Sequence, residues 1–204
     1  MISSIRKSGV VTALVLSIGA LPAFSSIAIA GEPASAITAM LELGPEGQRL
    51  AARAGTWDAR ITIRPSPDAA PLVWNGLTAE RRMIGGFLQE VLSKTGPDAF
   101  QRIAYLHYNR VEGRWQYVSM DTRFPAGIMP AWSEDAGRPD HISLQFEPIA
   151  FPGWGAGVDG WMLRSTYEVS GIGTDHETAH QYWTRADGTG QRWLAVEYDY
   201  RRRR

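Results

Sequence analysis

The sequence predicts a mainly β, antiparallel fold, either a barrel or a sandwich, preceded by a short helical segment. Three observations support this. Apolar and polar residues alternate along about nine segments of roughly ten residues each. Turn-forming residues separate these segments, as at Gly85–Gly86 and Asp187–Gly190. Helical spacing of apolar residues is confined to the region before Gly55, so we expect hairpin to follow hairpin through the rest of the chain.

The helical segment covers residues 37–54. Its apolar residues recur at helical spacing, but Gly44-Pro45-Glu46 interrupts them. Pro45 suits the first turn of a helix, because the N–H that proline lacks has no partner in that turn. We therefore expect a second helix to begin near Pro45 and to end at Gly55.

The predicted strands follow directly. In the first, Trp57, Ala59, Ile61 and Ile63 alternate with polar residues until the turn at 65–68. The same period of two predicts eight further strands, at residues 73–83, 87–93, 100–108, 115–121, 141–146, 161–169, 178–184 and 191–200.

Residues 124–160 differ from the rest of the chain. These 37 residues contain five prolines and six glycines, and they predict a long loop around the strand at 141–146. The loop carries large apolar side chains, namely Phe124, Met129, Trp132, Phe151 and Trp154. Two interpretations remain open: these side chains fill one end of the barrel, or the loop contacts another protein of the cell envelope.

The first 30 residues are typical of a signal peptide. Two basic residues precede an apolar run over residues 9–20, and Ala28-Ile29-Ala30 has the small-x-small pattern of a cleavage site. We expect cleavage after Ala30, a periplasmic or secreted protein, and a single domain over residues 31–204 with no transmembrane anchor. An uncleaved anchor is the alternative, because the apolar stretch is just long enough to span a bilayer, but a proline and two serines interrupt it.

Composition excludes several classes of function. The 204 residues include 21 basic and 21 acidic side chains, so the formal net charge is zero. Nucleic-acid binding needs clustered positive charge, and we therefore predict no nucleic-acid partner. The chain has no cysteine, which excludes disulfides, thiolate metal sites and cysteine nucleophiles.

Several short motifs occur in an order and spacing typical of one family. They are Gly44-Pro45-Glu46, Gly55-Thr56-Trp57, Ile84-Gly85-Gly86-Phe87-Leu88, Tyr108-Asn109, Gly113-Arg114-Trp115, Asp187-Gly188 and residues 198–201. With these motifs the chain resembles the uncharacterised bacterial family DUF1579 over about residues 44–202. The resemblance implies a single antiparallel up-and-down β-barrel of the lipocalin or calycin type. We therefore expect about 8–10 strands with an N-terminal helical segment. It implies no activity, because none is established for the family.

One motif suggests metal chemistry. His176-Glu177-Thr178-Ala179-His180 matches the His-Glu-x-x-His pattern of zinc peptidases, and Glu197 is available as a third ligand. The pattern needs a helix, on which the two histidines lie about 6 Å apart along the axis, whereas on a strand they lie about 13 Å apart. The surrounding residues predict a strand. We therefore interpret the motif as a coincidence, keep a metal-dependent hydrolase as the least favoured alternative, and predict no metal, no cofactor and no catalytic residue.

The predicted barrel interior is the remaining candidate site. Aromatic and polar residues at alternating strand positions predict a lumen lined by Trp57, Tyr105, His107, Trp115, Tyr117, Tyr167, His180, Tyr182, Trp193 and Glu197. Among these, His107, His180, Tyr182 and Glu197 are the expected partners of a ligand head group. An open lumen above about 300 Å³ would favour non-covalent binding of a small lipophilic or amphipathic molecule. A lumen filled by side chains would favour the alternative, a structural or protein-interaction module of the cell envelope.

Overall fold

A computed structural model describes residues 38–39, 41–124, 127–150 and 160–204. The predicted signal peptide, its cleavage site, Phe151 and Trp154 lie outside the described residues. Within these ranges the chain forms helix α1 (Pro45–Ala51) and eleven strands. The strands are β1 (Gly55–Ile63), β2 (Leu72–Ile84), β3 (Phe87–Lys94), β4 (Phe100–Asn109), β5 (Arg114–Asp121), β6 (Ile128–Trp132), β7 (His141–Phe146), β8 (Ile149–Ala150), β9 (Met162–Ser170), β10 (His176–Arg185) and β11 (Trp193–Arg202).

The sheet closes on itself. Each strand from β1 to β6 pairs antiparallel with the one that follows it. Strand β7 pairs with β9, and β9, β10 and β11 continue the order. Strand β11 then pairs with β1, so ten strands form a closed barrel. The two-residue strand β8 pairs with Met162 and Leu163 at the start of β9. The predicted antiparallel up-and-down barrel is therefore confirmed, and the sandwich alternative is wrong. Among the described residues, no helix is long and apolar enough to cross a membrane.

Helix α1 starts as the sequence predicts and lies at one end of the barrel. Pro45 occupies its first turn, and Leu50 is fully buried. The chain then turns into β1, where the indole Nε1 of Trp57 donates a hydrogen bond of 3.0 Å to the carbonyl of Arg53. Arg49 lies over the Trp115 ring at the start of β5. The helix thus covers the end of the barrel at which β1 and β5 begin.

The long loop predicted over residues 124–160 is wrong in part. Besides β7, the region contributes β6, which pairs with β5 over its whole length, and β8. The sequence analysis missed β6 because a proline within a segment argues against a strand. Pro130 is tolerated because β7 pairs with β6 only at Ala131 and Trp132, which leaves Pro130 at an edge of the sheet.

Candidate functional site

Five of the ten residues predicted to line the lumen do face the barrel interior: Trp57, Trp115, Tyr117, Tyr167 and Trp193. Trp57 and Trp115 are completely buried. Tyr117 and Tyr167 lie near the middle of the interior, with ring centroids 5.9 Å apart. The prediction therefore holds for half of the proposed lining, all of it aromatic.

The other five predicted residues lie on the outer face, and their assignment to the lumen is wrong. They are Tyr105, His107, His180, Tyr182 and Glu197. Four of them alternate with the buried residues of their strands; on β4, for example, Arg102, Ala104 and Leu106 are buried, between and beside Tyr105 and His107. Outside the barrel, His107 stacks on Phe87 with centroids 4.3 Å apart, and Tyr182 lies beneath the guanidinium of Arg192.

A β-bulge explains why Glu197 faces outward. The pairing of β10 with β11 shifts between Gln181 and Tyr182, so that β11 holds one extra residue, Ala195. Strict alternation from Trp193 would place residue 197 inside. The extra residue shifts the alternation of inward and outward side chains by one position. Val196 and Tyr198 therefore face inward, and Glu197 faces outward.

The His-Glu-x-x-His motif lies on strand β10, as predicted. Glu177 is fully buried in the barrel, whereas His176 and His180 occupy the opposite, outer face. His176 lies 3.2 Å from the carboxylate of Asp199 on the neighbouring strand. The described residues contain no group of three or more metal-ligating side chains. The two histidines and the glutamate therefore cannot act on one metal ion in the way that the helical motif does.

Glu177 instead belongs to a network of buried charges that the sequence analysis missed. This buried charge network consists of Arg53, Arg81, Glu90, Arg102 and Glu177. Glu177 accepts hydrogen bonds from Arg53 Nε at 3.0 Å and from Arg81 Nη1 at 2.6 Å. Glu90 accepts from Arg81 Nε at 2.8 Å and from Arg102 Nη2 at 2.6 Å. The chain of alternating charges runs from the end of α1 across strands β10, β2, β3 and β4.

Aromatic rings surround the cations of this network. The guanidinium of Arg81 lies 4.6 Å from the Trp57 ring and 4.5 Å from the Tyr200 ring, and that of Arg102 lies 4.7 Å from the Tyr198 ring. The ring faces attract cations and exclude water. The network therefore lies in a dry environment, where each ion pair is strong and an unpaired charge is costly.

This environment shifts several pKa values. Burial alone would raise the pKa of Glu90, but the positive charges of Arg81 and Arg102 outweigh it and lower that pKa to about 2. Burial, together with the charge of Glu90, raises the pKa of Tyr200 well above its usual range. Glu90 is thus a carboxylate and Tyr200 a neutral phenol at physiological pH. Three guanidinium groups against two carboxylates leave the network with a net charge of +1.

A cavity lies between this network and the end of the barrel opposite α1. We call it the lumen cavity; its apolar wall includes Phe124, Met129, Phe146 and Trp183, and Tyr117 and Tyr167 separate it from a smaller cavity of about 20 Å³ beside Arg53 and Glu90. The free volume of the lumen cavity is about 60 Å³. This is below the roughly 300 Å³ that would favour an open binding lumen, so the barrel is largely filled and has no room for a lipid-sized ligand. Side chains fill most of the barrel, and four apolar residues of the 124–160 region line the cavity: Phe124, Met129, Phe146 and Ile149.

Three charged residues line the lumen cavity: Arg102, Asp121 and Arg123. Arg123 donates from Nε to Asp121 at 2.8 Å and from Nη2 to the second carboxylate oxygen. Arg102 Nε and Arg123 Nη1 are buried and have no hydrogen-bond partner among the described residues. A buried donor without a partner costs about 1–3 kcal/mol, so these two atoms mark the polar side of the cavity.

A sequence signal for the missed residues does exist. Arg81, Glu90 and Arg102 share the parity of the apolar residues on their own strands, as in Leu88-Gln89-Glu90-Val91-Leu92. A charged residue at a core position of a strand is rare unless it is paired. Two such residues of opposite sign on neighbouring predicted strands would have indicated a buried ion pair.

The comparisons with known proteins support the fold and no function. No family model and no curated protein matches the chain. Among solved structures, Rv2717c from M. tuberculosis is similar, with 18% identity and a TM-score of 0.50 over 80% of this chain and all of that one. At this identity the likeness supports the barrel and says nothing about the ligand. The resemblance to DUF1579 stays a prediction.

Proposed function

We propose that the protein is an exported β-barrel that binds a small lipophilic or amphipathic molecule non-covalently in the lumen cavity. The cavity itself is the observation that carries this proposal. Aromatic and aliphatic side chains form most of its wall, and a few polar groups lie at one side. This combination is the usual form of a small-molecule site.

The size of the cavity restricts the ligand. A free volume of about 60 Å³ holds about four to six water molecules. A short-chain molecule suits this space, whereas a long-chain lipid requires a much larger lumen. Binding would work by enclosure: the apolar wall removes the chain of the ligand from water, and the polar side fixes its head group.

The first experiment is native mass spectrometry of the protein purified from the periplasm of its own host. We expect a reproducible mass excess over the denatured protein, equal to one small organic molecule. We also expect a polypeptide mass that corresponds to residues 31–204, because the predicted leader is removed after Ala30. A polypeptide that keeps its leader would contradict cleavage after Ala30 and favour the uncleaved anchor.

A second experiment locates the binding site. Butanol, which is small enough for this cavity, is titrated into the protein by calorimetry, and we expect saturable binding with one site. The variant Ser119→Leu adds carbon atoms at a buried residue of the cavity wall and should abolish binding. The matched control Ser143→Leu makes the same change between two buried residues of β7, on the outer face, and should bind as the wild type does.

Two results would contradict the proposal. Equal butanol affinity in Ser119→Leu and Ser143→Leu would place binding elsewhere. A ligand-free native mass together with no butanol binding would favour the alternative role, in which the barrel is a structural module and residues 124–160 contact another envelope protein. Phe124 and Met129, which line the lumen cavity, support the first role rather than the second.

A further inference from the structure

We infer that the molecule bound in the lumen cavity carries a carboxylate, which Arg102 and Arg123 hold. This inference rests on the proposed function and names the head group of its ligand. It predicts a short-chain monocarboxylate, with the apolar chain against the aromatic wall and the charge against the two guanidinium groups.

The first argument is the balance of buried charge. In the buried charge network, three arginines face two glutamates, and each carboxylate already bridges two arginines. The excess positive charge therefore has no counterpart among the described residues of the network. A buried charge is stable only when it is paired, so the barrel interior favours one additional negative charge.

The second argument is the set of hydrogen bonds that Arg102 makes. Its Nη2 donates to Glu90 at 2.6 Å and to the Tyr200 hydroxyl at 3.1 Å. Its Nε is buried and has no partner among the described residues, although the residue is only 5% exposed. Because Arg102 lines the lumen cavity, a ligand there can supply the missing acceptor.

Arg123 provides a second donor on the same cavity. Its Nη1 is also buried without a partner among the described residues. Both oxygens of Asp121, the acidic residue of the cavity wall, accept from Arg123, so the negative charge of Asp121 is compensated. The single surplus positive charge is therefore that of the buried charge network, which reaches the cavity at Arg102; it favours a monoanion there and repels a cation.

The tyrosines of the cavity cannot supply this negative charge themselves. Burial raises the pKa of Tyr117 and raises that of Tyr167 far above its usual range. Both side chains therefore stay neutral, and the surplus positive charge is left for a ligand. A neutral alcohol would satisfy a donor but leave the charge unpaired, so an anion should bind more tightly.

The test compares three probes of equal chain length: butanoate, butanol and butylammonium, titrated calorimetrically into the wild-type protein at pH 7. We expect butanoate to bind at least about tenfold more tightly than butanol, and butylammonium to bind more weakly than either. The variant Arg102→Met should lower the butanoate affinity by about tenfold or more and leave the butanol affinity within about twofold.

Two further variants keep the test informative. If Arg102→Met does not fold, as judged by circular dichroism, Arg123→Met replaces it in the test and should show the same selective loss of butanoate binding. Arg192→Met removes a surface arginine that pairs with Glu168, and it should bind all three probes as the wild type does.

The outcomes separate this inference from the proposed function. Equal affinity for butanoate and butanol, or a butanoate preference that survives in both cavity variants, overturns the carboxylate and leaves the binding barrel in place. Failure of both butanoate and butanol to bind overturns the proposed function itself. Selective loss of butanoate binding in a cavity variant, with Arg192→Met unchanged, supports the carboxylate.

Discussion

Glu177 and Arg53 are 124 positions apart in the chain, yet their side chains form a bidentate ion pair inside the barrel. Arg53 Nε lies 3.0 Å from Oε1 of the carboxylate, and Nη2 lies 3.1 Å from Oε2. Arg53 follows α1 directly, and Glu177 lies on β10, with Arg81 of β2 bound to the same carboxylate. One buried side chain thus connects the helical end of the chain to strands from both halves of the barrel.

The first prediction concerns this carboxylate. Glu177→Gln keeps the shape of the side chain but removes its charge, which leaves Arg53 and Arg81 with an excess of buried positive charge. Breaking a buried ion pair from one side costs about 3–5 kcal/mol. We expect the free energy of unfolding, measured by urea denaturation, to fall by about this amount.

The matched control is Glu168→Gln, which removes a carboxylate that pairs with Arg192 at the surface. Exposed ion pairs contribute about 0–1 kcal/mol, so this variant should remain close to the wild type. Equal stability of the two variants would show that the buried network does not hold the barrel together.

The second prediction concerns acid stability. The pKa of Glu90 in the folded protein is about 2, compared with a usual value of 4.5, so the folded state favours the ionised carboxylate. This contribution is complete above pH 4.5 and is lost as the pH falls toward 2; it amounts to roughly 3 kcal/mol. The variant Glu90→Gln has no carboxylate at this position and therefore lacks this pH-dependent contribution. The stability difference between wild type and variant should therefore shrink as the pH falls through this range.

Urea denaturation at several pH values between 6 and about 3 measures that difference. The surface carboxylates are common to both proteins and cancel in the comparison. A difference that stays constant across the range would mean that the charge of Glu90 contributes nothing to folding.

The architecture was predictable because its signals are local. Alternation of apolar and polar residues and the turns between them appear directly in the sequence, and they gave nine of the eleven strands. The sequence analysis missed the other two strands for identifiable reasons. Strand β6 contains Pro130, and β8 has only two residues, Ile149 and Ala150, whose pairing depends on β9.

The site was only half predictable because hydropathy does not mark the inner face of this barrel. On β4 the inner face holds Arg102 and the outer face holds Ile103 and Tyr105, so the pattern is inverted at that point. On β11 a single extra residue, Ala195, reverses which of the following residues face inward and which face outward. Both effects depend on pairing between distant strands, which a single sequence does not display.

The third prediction concerns the His-Glu-x-x-His motif. Because His176 and His180 lie on the outer face and Glu177 lies inside, we expect stoichiometric Zn²⁺ to leave the thermal unfolding midpoint unchanged. The double variant His176→Ala with His180→Ala should contain the same amount of zinc as the wild type, measured by elemental analysis. A saturable rise of the midpoint with Zn²⁺, lost in the double variant, would restore the metal hypothesis.

The fourth prediction concerns the turn that leads into β10 and positions Glu177. Gly171 and Gly173 both adopt positive φ, at 78° and 88°. A Cβ at Gly171 would lie 2.5 Å from the carbonyl oxygen of His176, whereas a Cβ at Gly173 would meet nothing within 4 Å. The His176 carbonyl cannot easily retreat, because it accepts a hydrogen bond of 2.7 Å from the Thr174 hydroxyl.

The two alanine variants therefore separate backbone strain from steric contact. Gly173→Ala has only the cost of positive φ, about 1–2 kcal/mol. Gly171→Ala has the same cost and must in addition displace backbone atoms at the start of β10, so we expect urea denaturation to show at least about 1 kcal/mol of further destabilisation. If the two variants unfold at the same urea concentration, the turn can shift without cost, and the close approach of Gly171 to β10 does not fix the position of Glu177.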